Sequence, residues 1–511
     1  MKTTVAGFAR IQNSLNSGES SYQSWWNFFC REPHKQAILP RQCGMNIAEK
    51  AQEALNHGFQ AIAKQFDLPA NFPPQVVSET ERVTQGASAG LLDSLSGRRD
   101  ASSIPFVTLD PASSTDLDQA FAIEQDGDDL VLHYALADVG AYVSSGSEIE
   151  VEAWKRGLTI YGLAKKIPLY PKEISQGVAS LLPDGPRPAV LVTVALSPSG
   201  KVKLRHIDRV ICRSRAKLAY DTVDLSKLPF VEEFARRMWA DEVARGAIRV
   251  EFPQQEVIVD ESAPGGVRLV LRPRVLSESI NSTLSLSVNL AIGSLLQDAQ
   301  IGLFRVMDDP ATRNIESLRR TAHALGIAWL PTESLRDLQR RMDPRNYSHQ
   351  RFLLDARRAG GRARYAVYNS GKPAWHSAIG ATYAHATAPM RRLADRYVLD
   401  LAFLIANAQT VPQMMKDKID ELPAVMDRCE NRAANVERAV IDLLEAVSLQ
   451  DRVGEILQAE VVDAENGIVQ TNDSAVRAKA TNLQGAKNGA NIQVRIDVAD
   501  PNARTVRLSA V

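Results

Sequence analysis

The stretch from Leu109 to Phe121, LDPASSTDLDQAF, sets the hardest condition on any fold of this chain. It spaces Asp110, Asp116 and Asp118 as D-x5-D-x-D, directly after an apolar run (Ile104, Phe106, Val107, Leu109) that reads as a buried strand. The small residues Pro111, Ala112, Ser113, Ser114 and Thr115 let the chain loop tightly, so Asp110 can converge with the Asp116/Asp118 pair. Asp116 and Asp118 stand two apart and share one face of an extended segment. Carboxylates gathered beside a buried strand repel one another unless a cation holds them. Hard oxygen donors of this kind suit Mg²⁺ or Mn²⁺, which leave coordination positions open for phosphate. The competing reading is a solvated acidic loop, the reading that Asp126, Asp128 and Asp129 receive at the tip of the QDGDD turn.

Charge and composition narrow the partners. The chain has 511 residues, enough for two or three structural units, and 45% of them are hydrophobic. Its 60 Lys plus Arg and 60 Asp plus Glu cancel, which excludes a histone-like global basic field and makes any nucleic-acid contact local. Cys30, Cys43, Cys212 and Cys429 form no disulfide framework, so a reducing compartment, the cytoplasm, is expected. Zinc on Cys30, His34 and Cys43 lacks a fourth ligand, and free thiols are the simpler reading. No signal-type h-region opens the sequence, and no apolar stretch reaches the ~18 residues that span a bilayer, so no membrane association is expected.

Along the chain, residues 1–45, with Trp25 and Trp26, show no periodicity and are left as an extension of uncertain order. Ile47, Ala51, Ala54, Leu55, Phe59 and Ile62 recur at helical steps up to about Phe66, where a proline-rich stretch follows. Residues from about 104 to 225 read mostly as sheet, with QDGDD turning a hairpin. Residues 230–450 read as helical: LSLSVNLAIGSLL, ATAPMRRLADRYVLDLAFLIA, and Leu422 to Leu449. In the last run Met426, Cys429, Ala433, Val436, Val440, Leu443 and Val447 form an apolar stripe. From about 452 five short strands, with turns at AENG and DPNA, suggest a small OB-type barrel or another small β domain.

LDPASSTDLDQAF followed by HYALADVGAYV resembles the catalytic signature and adjoining strand of the ribonuclease II (RNB) family. IPLYPKEISQGVASLLPDGPRPAV, SRAKLAYD and HSAIGATYAHATAPMRRLADRYV resemble further family segments in the same order, over about 104 to 445. The resemblance implies an α+β fold: a large RNB-type catalytic domain, a mixed sheet with helices around an RNA channel, and a small C-terminal OB-type barrel. The expected divisions are an extension at 1–45, a helical region at 46–103, the catalytic domain at 104–450 and the barrel at 451–511. The family usually carries two cold-shock-type barrels ahead of the catalytic domain. About 100 residues of helical and irregular chain stand there instead, so a short form with a weaker or differently placed grip on RNA is expected.

The family hydrolyses single-stranded RNA processively from the 3′ end to nucleoside 5′-monophosphates, using divalent metal ions. By resemblance Asp110, Asp116 and Asp118 are metal ligands, Asp118 the least replaceable, and Asp118 with Arg391 is catalytic. Gln119 stands where the family has a fourth aspartate; its carbonyl can ligate a hard cation without offsetting charge, which predicts altered metal dependence. Arg391 and Arg392 sit at a predicted helix start, with a surface salt bridge to Asp395 as the alternative for Arg391. The family's serine before this proline is Ala388 here. Tyr161 matches a base-stacking position and Glu437 a glutamate that contacts the 3′-terminal nucleotide; a core tyrosine and an exposed helix glutamate are the alternatives. His385 and Thr387 either shape the channel or hold structural hydrogen bonds. The barrel, which has no Phe, Tyr or Trp after residue 452, would contact RNA through Arg477, Lys479 and Arg495. The expected cofactor is Mg²⁺ or Mn²⁺ and the expected partner single-stranded RNA, bound by a monomer. Two other functions stay open: an RNA-binding protein of this fold with weak or lost hydrolysis, and a nuclease acting on DNA.

Overall fold

The computed structural model describes residues 10–11, 47–88, 97–162, 166–247, 254–259, 267–272, 274–343, 346–472, 476–487 and 489–511. The zinc alternative at Cys30, His34 and Cys43, and the pair Trp25 and Trp26, lie outside them.

A seven-stranded sheet carries the acidic stretch. Its strands are β1 (Arg99–Asp100), β2 (Val107–Asp110), β3 (Gln119–Asp126), β4 (Asp129–Ala137), β5 (Arg187–Leu196), β6 (Val202–Cys212) and β7 (Ala216–Ala219), in the spatial order β7-β2-β3-β4-β5-β6-β1. Gly127, at φ 62°, and Asp128 close the β3–β4 hairpin, so the register runs from Gln119 opposite Leu136 to Asp126 opposite Asp129. Strand β5 is buried from Pro188 to Leu196, because RPAVLVTVAL has apolar residues on both faces and both faces are covered. The strand before the acids is shorter than its apolar run: pairing begins at Val107 and ends at Asp110, which β7 flanks in parallel. Proline at 111 has no N–H with which to continue the ladder, so the acidic loop starts there.

Of the helices α1 (Ile47–Gln65), α2 (Pro74–Ser88), α3 (Glu148–Arg156), α4 (Val231–Ala244), α5 (Leu276–Asp298), α6 (Leu393–Ala406) and α7 (Gln413–Leu449), α4, α5 and α6 pack on strands β5 and β6 of the sheet, and α2 packs on α3. All seven residues of the expected apolar stripe on α7 are buried. The helix packs on α1, α6 and the C-terminal strands, and it begins nine residues before the expected Leu422, carrying Pro423 within it. Helix α2 follows the proline-rich stretch within the expected helical region; Pro74 opens it, a position where the missing N–H costs nothing. The segment ATAPMRR, expected to be helical, is a turn, and α6 starts only at Leu393. Among the described residues one helix, α5, is long and apolar enough to cross a bilayer, contrary to the sequence reading; most of it is buried inside the protein, as a core helix would be. The helices Thr312–Ala324, Leu335–Arg340 and Tyr347–Ala359 bury a smaller core of their own around Leu318, Leu338 and Phe352.

The C-terminal strands β8 (Ile456–Asp463), β9 (Ile468–Thr471), β10 (Arg477–Thr481), β11 (Asn491–Asp500) and β12 (Thr505–Ala510) close a barrel in the order β8-β9-β10-β12-β11. Buried Glu445, near the end of α7, accepts the Arg477 backbone N–H at 3.0 Å and so ties the barrel to the larger unit.

Candidate active site

Strand β2 delivers Asp110 to a position where it is 1% exposed, and the loop after it returns Asp118, also 1% exposed, to the mouth of β3. The loop is held from outside. The Leu117 N–H donates to Ser180 Oγ at 2.9 Å, Ser180 Oγ donates to the Thr115 carbonyl at 2.7 Å, and the Leu181 N–H donates to the Leu117 carbonyl at 3.0 Å. These bonds fix the D-x-D segment, and the carboxylates are not splayed into solvent.

The second signature meets the first at Asp118. Its Oδ1 accepts the Met390 N–H at 2.8 Å and its Oδ2 accepts Arg391 Nε at 3.0 Å, across more than half the chain. The turn that presents these donors is fastened to the strand region after α3: the Leu393 N–H donates to the Gly157 carbonyl and the Thr159 N–H to the Arg391 carbonyl, each at 2.9 Å. Gly157, at φ 69°, closes α3 so tightly that a Cβ there would lie 2.4 Å from Cys429 Sγ. Arg391 is 7% exposed, and its Nη1 is buried with no hydrogen-bond partner among the described residues. The expected alternative, an ion pair from Arg391 to Asp395, is not formed. Asp395 accepts the Ala388 N–H at 2.9 Å and lies 2.6 Å from His385 Nδ1.

Electrostatics follow from this burial. Desolvation raises Asp110 well above the usual carboxylate range, opposed by Arg391 and reinforced by Asp118 and Asp116. The same desolvation takes Asp118 up to about 6, with Arg391 and the Met390 N–H pulling the other way. His385 is pushed down to about 4 by burial and by Arg392, which keeps it neutral at physiological pH. Thr387 hydrogen-bonds Ser285 and Asn289, so His385 and Thr387 both make structural hydrogen bonds.

The remaining residues divide into those drawn to the cluster and those held elsewhere. Tyr161 and Lys166 face each other in a two-stranded hairpin, Ile160–Tyr161 against Lys166–Ile167, which leaves Lys166 Nζ 5.4 Å from the Tyr161 ring centroid. Lys166 forms an ion pair with Asp116, and its side chain is 4% exposed. Burial, together with Asp116 and Asp118, raises the Tyr161 hydroxyl, while Arg391 and Arg392 oppose them; the ring therefore adjoins the cluster. Gln119 is buried at the start of β3, with Oε1 accepting the Tyr134 hydroxyl at 2.6 Å. Arg392 is buried at the N-cap of α6. Glu437 is half-buried on α7. Of the barrel arginines, Arg477 Nε donates to Gln470 and Arg495 pairs with Asp497. Lys166, the Met390 N–H and Tyr134 were not foreseen. The only sequence signal for Lys166 is its place five residues after Tyr161.

The donor set is chemically right for one hard divalent ion: three carboxylates, two of them buried and costly to ionise without a compensating cation. Asp116 and Asp118 already face Lys166 and Arg391, and among the described residues no three acidic, His or Cys side chains form a ready metal cage. Each carboxylate oxygen still has a second lone pair for an ion.

Comparison with known proteins gives the same two parts. The RNB domain model matches residues 98–404, and the model of the RNase II-type exonuclease C-terminal S1 domain matches 455–511. Ribonuclease R of Aquifex aeolicus is 27% identical over 429 residues, covering 77% of this chain and 58% of the relative. The chain thus spans less than two thirds of that relative's length. Mycoplasma genitalium RNase R in complex with ribose-methylated single-stranded RNA superposes with a TM-score of 0.79 at 19% identity, covering 90% of this chain and 78% of that one. Yeast Ssd1, a pseudonuclease, superposes with a TM-score of 0.61 at 15% identity, over 79% of this chain and 53% of that one. At such identities the superpositions speak for the fold, and the match of the domain model over more than half of the sequence decides the family: this chain belongs to the RNB-domain family.

Proposed function

We propose that this protein is a hydrolytic 3′-to-5′ exoribonuclease that shortens single-stranded RNA to nucleoside 5′-monophosphates at Asp110, Asp116 and Asp118, with Mg²⁺ or Mn²⁺. The observation that carries this reading is the buried junction at Asp118, where the acidic signature binds the Met390 N–H and Arg391 Nε. RNB-family ribonucleases depend on divalent metal, and when bound the ion supplies charge to the phosphate and lowers the pKa of a bound water.

The chain's own residues supply the rest. Asp118 orients Arg391 through Nε, which leaves the buried Nη1 to donate to a non-bridging phosphate oxygen. Its charge is worth most in a site this dry, as negative charge grows on the phosphate during attack. The hydrolytic step adds water oxygen to phosphorus, breaks the bond from phosphorus to the 3′ oxygen of the preceding nucleotide, and returns a proton to that oxygen. Tyr161 stacks the terminal base, a contact that tolerates any sequence. Arg392 and Glu437 are assigned to the RNA by the family pattern, Arg392 near the phosphate and Glu437 at the 3′-terminal nucleotide.

A second reading, an RNA-binding protein without useful hydrolysis, is favoured by one observation: Lys166 already neutralises Asp116. Incubating 5′-labelled single-stranded RNA and the matching DNA with the protein, in Mg²⁺ and in Mn²⁺, separates the two. Stepwise shortening of RNA that Asp118→Asn abolishes supports the nuclease; tight binding without shortening supports the binder. Equal shortening of DNA would remove RNA from the assignment.

A further inference from the structure

We propose that Lys166 is the second cation of the active site, so that this protein works with a single divalent ion. The inference rests on the nuclease reading above and goes beyond it, because nothing in the acidic signature itself announces a lysine.

Two independent features lead to it. The first is placement. The Tyr161–Lys166 pairing puts an ammonium group, on a side chain 4% exposed, in an ion pair with Asp116, a carboxylate electrostatically coupled to both Asp110 and Asp118. A lysine is not buried against an acid without a strong local negative field, since desolvating the ammonium is costly. The second is Gln119. The side chain that directly follows Asp118 is uncharged, and its carbonyl oxygen accepts the Tyr134 hydroxyl.

Charge balance then decides the number of ions. Three carboxylates face Arg391, Lys166 and, at longer range, Lys217, whose Nζ donates to the Ala112 carbonyl at 2.7 Å. With all three carboxylates ionised, as metal binding requires, the cluster is close to neutral before the charge of any ion is counted. One divalent ion, with the phosphate it binds, keeps the site near neutrality. Two would leave a large uncompensated positive charge in a buried place, where like charges interact far more strongly than in water. With Lys166 in place, Asp116 keeps its negative charge matched and the incoming phosphate meets a fixed ammonium. Tyr161, 5.4 Å from that ammonium, ties the base-stacking position to the same group.

The test counts ions without RNA. Metal-free protein is titrated with Mn²⁺, and free Mn²⁺ is followed by electron paramagnetic resonance. The native protein is expected to bind one ion per chain. The double variant Gln119→Asp/Lys166→Met, with folding checked by circular dichroism, is expected to bind two, and Lys166→Arg one. Turnover of single-stranded RNA should fall on the order of 10²-fold in Lys166→Met and be largely kept in Lys166→Arg. Two ions on the native chain, or one on the folded double variant, would overturn the assignment of Lys166 while leaving the nuclease reading intact. No bound ion on the native chain would overturn both. Should the double variant not fold, the native count alone decides.

Discussion

Replacing Arg391 by Met removes the guanidinium that faces Asp118 and keeps a long unbranched side chain in its place. In the native protein burial raises Asp118 from 3.8 to about 6 against the pull of Arg391. At roughly 1.4 kcal/mol per pKa unit, the fold favours the protonated carboxyl by about 3 kcal/mol. A carboxyl raised in this way contributes stability that is complete below about pH 4 and is lost as pH rises through about 6. Without Arg391 both Asp118 and Asp110 climb further, because Arg391 lowers each of them. Stranding one member of a buried ion pair costs about 3–5 kcal/mol, and this cost falls due only where the carboxyl must ionise. Urea unfolding in EDTA should therefore show Arg391→Met destabilised by about 3–5 kcal/mol near pH 8 and by only about 1 kcal/mol near pH 5, where a lost hydrogen bond is the main term. Adding Asp118→Asn to Arg391→Met should narrow the gap between the two pH values. An equal loss at both, or a gap that survives Asp118→Asn, would refute the buried-pair reasoning.

The barrel junction offers a second pH test: burial takes Glu445 up to about 8, so its contribution is complete below about pH 4.5 and lost by about pH 8. Glu445→Gln, which can still accept the Arg477 N–H, should melt like the native protein near pH 4 and be more stable near pH 8 by up to about 5 kcal/mol. Gly157→Ala should cost about 2 kcal/mol or more in denaturant titrations, since it meets Cys429 and the residue sits at positive φ. In an Asp118→Asn background, Tyr161→Ala should weaken single-stranded RNA binding by about 1–3 kcal/mol in fluorescence anisotropy while Tyr161→Phe stays close to native; equal losses would assign the effect to the hydroxyl.

Local pattern carried the sequence reading wherever one element sufficed. The strands beside the acids, the Gly127 hairpin, the α7 stripe and the closed barrel all follow from apolar runs, periodicity and turn chemistry. The site was legible in part, because Asp110, Asp116 and Asp118 lie in one stretch and the resemblance supplied Arg391. What stayed hidden is non-local. Met390 meets Asp118 only through the Gly157 and Thr159 backbone bonds, and Lys166 reaches Asp116 through the hairpin register with Tyr161. The helix start was placed too early because ATAPMRR has apolar residues at helical spacing. Its backbone instead turns at Ala388, whose carbonyl accepts the N–H groups of Arg391 and Arg392.

Isotope placement in the released product tests the central claim most directly. Single-stranded RNA is digested with the native protein and Mg²⁺ or Mn²⁺ in ¹⁸O-labelled water, and the mononucleotides are analysed by mass spectrometry. Water attack on phosphorus at the Asp110–Asp118 site predicts nucleoside 5′-monophosphates carrying one ¹⁸O on the phosphate, absent with EDTA or Asp118→Asn. Release of 3′- or cyclic phosphates, or of 5′-monophosphates that persist in EDTA, would contradict it.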